Sequence, residues 1–188
     1  MTEQQKRSNS EVYNAFFREM REIYCLGAVS RLLFWDHETC MPKKGAQNRA
    51  LQCQLLGKLI HDKLIHPKMG ENLSRLTSPH LFATLSDIEK VHVREMKRDY
   101  DRAVKIPTRL VEETAHTAIL AQEAWVAARK RDCYPDFAPW LAKMVNLKQE
   151  KAKCLNFENA YDGLLDEYEP GMSVEQIAPL FDTLKKEL

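Results

Sequence analysis

Apolar positions recur every three or four residues along nearly the whole chain, and this spacing predicts helices throughout. Ser8-Asn9-Ser10-Glu11 has the form of a capping box, with Val12, Phe16, Met20, Ile23 and Gly27 on one helical face behind it. That helix should end near Asp36, before the breakers Pro42 and Gly45. A second helix should follow from about Gly45, with Ala46, Ala50, Cys53, Gly57, Ile60 and Leu64 as its stripe. Pro67 and Gly70 punctuate, and Met69, Leu73 and Leu76 predict a short helix. Ser78-Pro79 reads as an N-cap with proline at the first helical position. A long helix is expected from there to Arg102, carrying Phe82, Leu85, Ile88, Val91 and Glu95 on one side.

Pro107 opens the next element, with Leu110, Val111, Thr114, Ala118, Ala121 and Trp125 as its apolar side. Tyr134-Pro135-Asp136 reads as a turn, and Phe137, Leu141, Met144 and Val145 begin a further helix. Tyr161–Glu169 is short and acidic and should stop at Pro170-Gly171. Ser173 and Gln176 form a second capping box, followed by Ile177, Leu180, Phe181 and Leu184 on one face. No period-two alternation and no Asn-Gly or Asp-Gly hairpin signal appears. The expectation is an all-α array of about seven or eight helices, organised as a single helical unit over 1–188. The last helix meets Leu188 without a stop signal, so the unit is expected to be an incomplete domain, part of something longer.

Composition changes this picture little. The 188 residues carry 28 basic and 27 acidic side chains, a formal charge of +1, which offers no field for nucleic acid or an anionic membrane surface. The first ten residues are polar and unlike a signal peptide, and no run is long and apolar enough to span a bilayer. Cys25, Cys40, Cys53, Cys133 and Cys154 are scattered and odd in number, which suits reduced thiols in a cytoplasmic protein.

The richest stretch is Leu32–Cys53, where charged and aromatic residues crowd a helix end and the start of the next. Asp36 and Glu38 are a candidate acid/base pair. The preferred reading is structural: Asp36 caps the following turn and Glu38 pairs with Arg49 or Lys43, or either carboxylate satisfies turn N–H groups or Arg49, and Trp35 packs in the junction. His61-Asp62 has the dipeptide form of helical metal-dependent phosphohydrolases, with His37 as an upstream ligand and Asp87, Asp99 or Asp101 downstream. The preferred reading there is a solvated helix C-terminus, where His61, Lys63 and His66 complement the dipole. The zinc-peptidase motif H-E-x-x-H is absent, as are phosphate loops and a nucleophile elbow. The run Arg94, Lys97, Arg98, Arg102 and Lys105 is interleaved with acids, and Lys97 and Asp101 are i,i+4 partners on a mixed solvated face.

Three blocks together resemble the N-terminal region of the thermostable carboxypeptidase (carboxypeptidase Taq-type) zinc metallopeptidase family. The first is Leu26-Gly27-Ala28, then Trp35-Asp36-x-Glu38-Thr39-x-Met41-Pro42 and Gly45-Ala46-x-x-Arg49. The second is Val93-Arg94-Glu95-x-x-Arg98-Asp99-Tyr100-Asp101-Arg102-Ala103, then Lys105-Ile106-Pro107 and Trp125-x-x-Ala128-Arg129. The third is Tyr161-Asp162-x-Leu164-Leu165-Asp166-x-Tyr168-Glu169-Pro170-Gly171-Met172. The family signature residues are thus Trp35, Asp36, Glu38, Met41, Pro42, Arg49, Tyr161, Asp162, Glu169 and Gly171. His37 and Cys40 stand where many relatives have Gln and Tyr.

The resemblance implies a much longer, almost wholly helical, cytoplasmic and usually homodimeric enzyme. Such an enzyme removes C-terminal residues from peptides around a deep groove. Its zinc is held by the two histidines of H-E-x-x-H and a later glutamate, and the N-terminal helices form part of one groove wall. No position here matches the zinc motif or the substrate-carboxylate arginines, so no catalytic and no metal residue is assigned. Zinc is expected for the full-length family, not within this chain. The chain alone is expected to be inactive, with the missing catalytic region or a second copy as its partner. The other readings are a stand-alone helical interaction module and the phosphohydrolase.

Overall fold

In a computed structural model, residues 3–188 are described, with side chains from Glu11 onward. The described residues hold nine α-helices, one 3₁₀ turn and no strand. The fold is all-α, one or two helices richer than expected because two elements are short. In order these are α1 (Glu3–Thr39), the 3₁₀ turn (Lys43–Gly45), α2 (Ala46–Leu64), α3 (Pro67–Leu76), α4 (Pro79–Phe82), α5 (Asp87–Ala103), α6 (Thr108–Lys130), α7 (Tyr134–Leu155), α8 (Ala160–Leu165) and α9 (Val174–Glu187). Helix α1 starts upstream of the capping box expected at Ser8, whose side chain lies outside the described residues.

The chain divides into two compact units, one reaching Glu123 and the other running Ala124–Leu188, so the boundary falls within α6. The first unit has two buried clusters. In the larger, Val12, Tyr13, Phe16, Met20 and Ile23 of α1 meet Met69, Leu73 and Leu76 of α3, Leu81 of α4, Leu85, and Val93 and Met96 of α5. The Tyr13 hydroxyl hydrogen-bonds His92 Nδ1 at 2.8 Å, and Phe17 stacks on the Tyr13 ring. The smaller cluster joins Ala50 and Cys53 of α2 to Ile119 of α6, with Leu33 and Leu120 at its edge. Small side chains on α2 let α6 approach closely, and Gly57 lies against Ala115 and Val111.

Four helix boundaries differ from the sequence reading. The helix expected over Pro79–Arg102 is two helices. Ser86 accepts the Glu89 N–H while Glu89 accepts the Ser86 N–H at 2.8 Å, a capping box that starts α5 afresh. The break resets the helical phase, so Val93, Met96 and Ala103 face inward while Ile88 is 70% exposed and Val91 is exposed. Gly70 does not punctuate but lies inside α3, where a Cβ would meet the Tyr100 ring, with Cζ only 2.8 Å away. Tyr134-Pro135-Asp136 is the first turn of α7, not a loop, since proline suits that position. Helix α8 stops at Leu165, ahead of Pro170-Gly171, and Gly171 adopts φ +81° in the turn that follows.

The second unit buries Leu147, Ala152 and Leu155 of α7 and Gly163 of α8. Asn156 ends α7 in the left-handed conformation, φ +56°, a role asparagine fills after glycine. The missing side chain of Gly163 leaves room for Phe157, whose Cδ2 lies 3.1 Å from where a Cβ would stand.

Candidate functional site

The junction between α1 and α2 is organised by Arg49. Its Nη2 donates to Asp36 Oδ2 at 2.5 Å, its Nη1 donates to the Leu33 carbonyl and its Nε donates to Gln52 Oε1 at 3.0 Å. One guanidinium therefore ties a carboxylate and a backbone carbonyl near the end of α1 to the first turns of α2. Met41-Pro42 and the 3₁₀ turn reverse the chain between them, and Gly45 lies against the Met41 side chain. Asp36 is the carboxylate that meets Arg49. Glu38 is exposed, so the two do not converge as an acid/base pair.

Trp35 corrects the expectation of a packed junction, because it is 58% exposed. Leu33 and His37 are one turn apart and share the inward face of α1. Trp35 lies two residues from each, about 200° around the helix, and points away.

His37 is buried, with Nε2 3.8 Å from Glu123 Oε1 of α6 and with no hydrogen-bond partner for Nδ1. Sequence reasoning missed Glu123, because nothing in local spacing links positions on α1 and α6. His61 is also buried, against the expectation of a solvated helix end, and its Nε2 has no partner. Burial holds its imidazole pKa below the ordinary value, opposed by a hydrogen bond to the Ile106 backbone. Asp62 turns to other partners. It pairs with Lys58 at 2.5 Å, which holds its carboxyl below the usual range, and it accepts from Thr108 Oγ1 at 3.4 Å. His61 and Asp62 are adjacent in sequence and face different neighbours.

The acidic block at the end of the chain laces a turn. Asp162 Oδ1 accepts the Val174 N–H and Asp166 Oδ1 accepts the Gly171 N–H, each at 2.9 Å. Glu167 pairs with Lys151 of α7. Tyr161 and Glu169 are exposed. Separately, a cavity of about 310 Å³ is lined by Trp125, Arg129, Asp132, Tyr134 and Phe137, with the Arg129 guanidinium 5.9 Å over the Trp125 ring.

These three blocks coincide with a family match. Residues 15–188 match the carboxypeptidase Taq (M32) metallopeptidase family. The chain belongs to this family. Among M32 relatives, thermostable carboxypeptidase 1 of Thermus thermophilus is 37% identical over 187 residues, which span 94% of this chain and 36% of that protein. Thermostable carboxypeptidase 1 of Pyrococcus furiosus is 31% identical over 180 residues, 95% of this chain and 36% of that protein. The crystal structure of BsuCP superposes with a TM-score of 0.87 at 27% identity, over 94% of this chain and 35% of that one. The chain thus spans about a third of the length of the M32 relatives it matches.

A metallopeptidase centre needs three protein ligands and an open position. Among the described residues no three His, Cys, Asp or Glu side chains form a group that could hold a metal ion. His37 and Glu123 remain a pair. The described residues do not fit the catalytic metal of the family. Among the described residues, no helix is long and apolar enough to cross a membrane.

Proposed function

We propose that this chain forms the N-terminal helical part of a cytoplasmic zinc metallocarboxypeptidase that removes C-terminal residues from peptides. In that role it supplies scaffold and not the zinc chemistry. The observation that carries this reading is the M32 match over residues 15–188 in a chain that spans about a third of its relatives. A zinc-bound water attacks a peptide bond only where ligands hold the ion, and the described residues offer no such group. The contribution of this region is instead geometric. Arg49 fixes the turn from α1 to α2, and Asp162 and Asp166 fix the turn into α9.

Incubating the chain with a set of peptides in the presence of zinc, followed by mass spectrometry, tests this. The expected spectrum shows intact peptides. A ladder of C-terminally shortened products would contradict the scaffold assignment.

A second reading, a helical module that acts by association, is favoured by one observation. Helix α9 contains no buried residue. Association includes pairing with another copy of the chain, as a homodimer.

A further inference from the structure

His61 of α2 reaches the corner that joins α5 to α6 through a hydrogen bond between its ring and the Ile106 backbone. The residue is 5% exposed, and its Nε2 is buried with no partner. One position on, Asp62 accepts from Thr108 Oγ1 at 3.4 Å. Two successive α2 side chains therefore hold the corner and the first residue of α6. The corner itself is thin. Val104, Lys105 and Pro107 are exposed, and Ile106 alone is half-buried. Its backbone is closed by short-range bonds, from the Val104 N–H to the Tyr100 carbonyl and from the Ile106 N–H to the Ala103 carbonyl, each at 3.0 Å.

This arrangement suits a neutral imidazole. One ring nitrogen serves Ile106 and the other is a bare acceptor. Protonation puts a second N–H on Nε2 and a full charge in a buried place, and both then need an acceptor or water. The charged groups acting on the ring are Asp62 and Lys58 of its own helix. Lys58 opposes the added charge. Asp62 favours it, yet is held by Lys58 at 2.5 Å and by Thr108. From α6, Glu112 acts on Lys58, and from α1, Glu19 and Glu22 meet Lys63. The charges flanking Ile106 in sequence, Arg102, Lys105 and Arg109, are all positive. Burial already holds the imidazole pKa below its ordinary value.

We propose that His61 and Ile106 form an acid-released latch. Protonated His61 is accommodated by lifting the Val104–Pro107 corner off α2 into water, while the core around Phe16, Leu73 and Val93 stays closed. The opening is local because the corner is a short exposed segment held to α2 at two points, the kind of unit that opens ahead of the whole fold. It is set by contacts within this chain, and its consequence is an α5–α6 connection that loosens on acidification.

Amide hydrogen exchange of the full chain from about pH 8 to about pH 5, a span that brackets histidine titration, tests the latch when rates are corrected for intrinsic exchange at each pH. Protection at Val104–Val111 should fall by about tenfold for each pH unit below 6.5, as one proton is taken up per opening. Leu73 and Val93 should keep their protection. His61→Gln, neutral throughout, should flatten the pH dependence at the corner. His80→Gln, at an exposed position, should leave it unchanged. In the unaltered chain the His61 ring resonance should titrate together with the corner amides, a readout that needs no variant to fold.

A corner whose protection is constant over this range would overturn the proposal, as would the same slope in His61→Gln. Equal loss at Leu73 and Val93 would replace a latch with global unfolding. A His61 ring that titrates while the corner stays protected would show the charge accommodated in place.

Discussion

Arg49 Nη2 reaches Asp36 Oδ2 at 2.5 Å across the reversal between α1 and α2, and the same guanidinium donates to the Leu33 carbonyl. The arginine is largely buried while the aspartate keeps a third of its side chain in solvent. The two partners therefore differ in what their loss exposes. Replacing Arg49→Met should cost about 1–3 kcal/mol, the range for leaving a buried hydrogen-bonding group unsatisfied, because a carbonyl and a carboxylate both lose their donor. Asp36→Asn should cost less, since the bond to Leu33 survives. Urea unfolding of both variants checks the order, and an Asp36→Asn loss as large as that of Arg49→Met would contradict it.

Gly70 and Tyr100 are a matched pair. A Cβ at Gly70 would stand 2.8 Å from Tyr100 Cζ, inside van der Waals contact. Gly70→Ala should destabilise by about 1–3 kcal/mol through overpacking, despite the better helix propensity of alanine. Adding Tyr100→Phe removes the hydroxyl and should restore part of the loss, with the ring carbon still close. A thermal-melt double-mutant cycle reads the coupling, and strictly additive effects would count against this geometry.

His61 gives stability a pH dependence. Its folded pKa lies below the ordinary 6.5, mainly through burial. The unfolded chain therefore takes up a proton before the folded one does. The stability contributed by neutral His61 is fully present above pH 6.5 and falls as pH drops from there toward the folded value. In His61→Gln this part of the decline should vanish. Denaturant midpoints measured on either side of pH 6.5 test it; an identical decline in both proteins would exclude His61 as the source.

Asp162 holds the start of α9. Asp162→Ala should cost about 0.5–2 kcal/mol, the value of a lost cap, because the Val174 N–H loses its acceptor. Amide hydrogen exchange should quicken at Val174 and spread along α9, while α3 and α5 stay protected. Unchanged exchange at Val174 would mean another group holds it.

Much of this architecture was legible where breakers and caps are local. Pro42 and Gly45 set the α1–α2 reversal, Ser78-Pro79 starts α4, and the Ser173–Gln176 box starts α9. The inward face of α1 follows Val12, Phe16, Met20 and Ile23 as the spacing indicates. The errors arise where a pattern continues across a break. Phe82, Leu85, Ile88 and Val91 look like one stripe, yet the break ahead of Ser86 turns Ile88 outward. The capping box Ser86-x-x-Glu89 was the signal that could have found it.

On α6 the one-sided stripe fails for another reason. Leu110, Thr117, Ile119 and Ala121 are all buried, so the helix is covered on more than one side. At the junction, charge pointed to a carboxylate partner for Arg49, and the structure chooses Asp36 over Glu38. The approach of Glu123 to His37 depends on where α6 packs, which no local motif encodes, and Trp35 is exposed because it stands about 200° around α1 from Leu33 and His37.

The central claim is the proposal that this M32 chain acts as scaffold, with no catalytic zinc site among its described residues. Elemental analysis of the purified full chain, dialysed after exposure to excess zinc, tests it most directly. The account predicts far less than one zinc per chain, and no change in thermal stability with added zinc, since no preformed ligand group stands among the described residues to favour the folded state. One tightly held zinc per chain, with a matching rise in melting temperature, would contradict it.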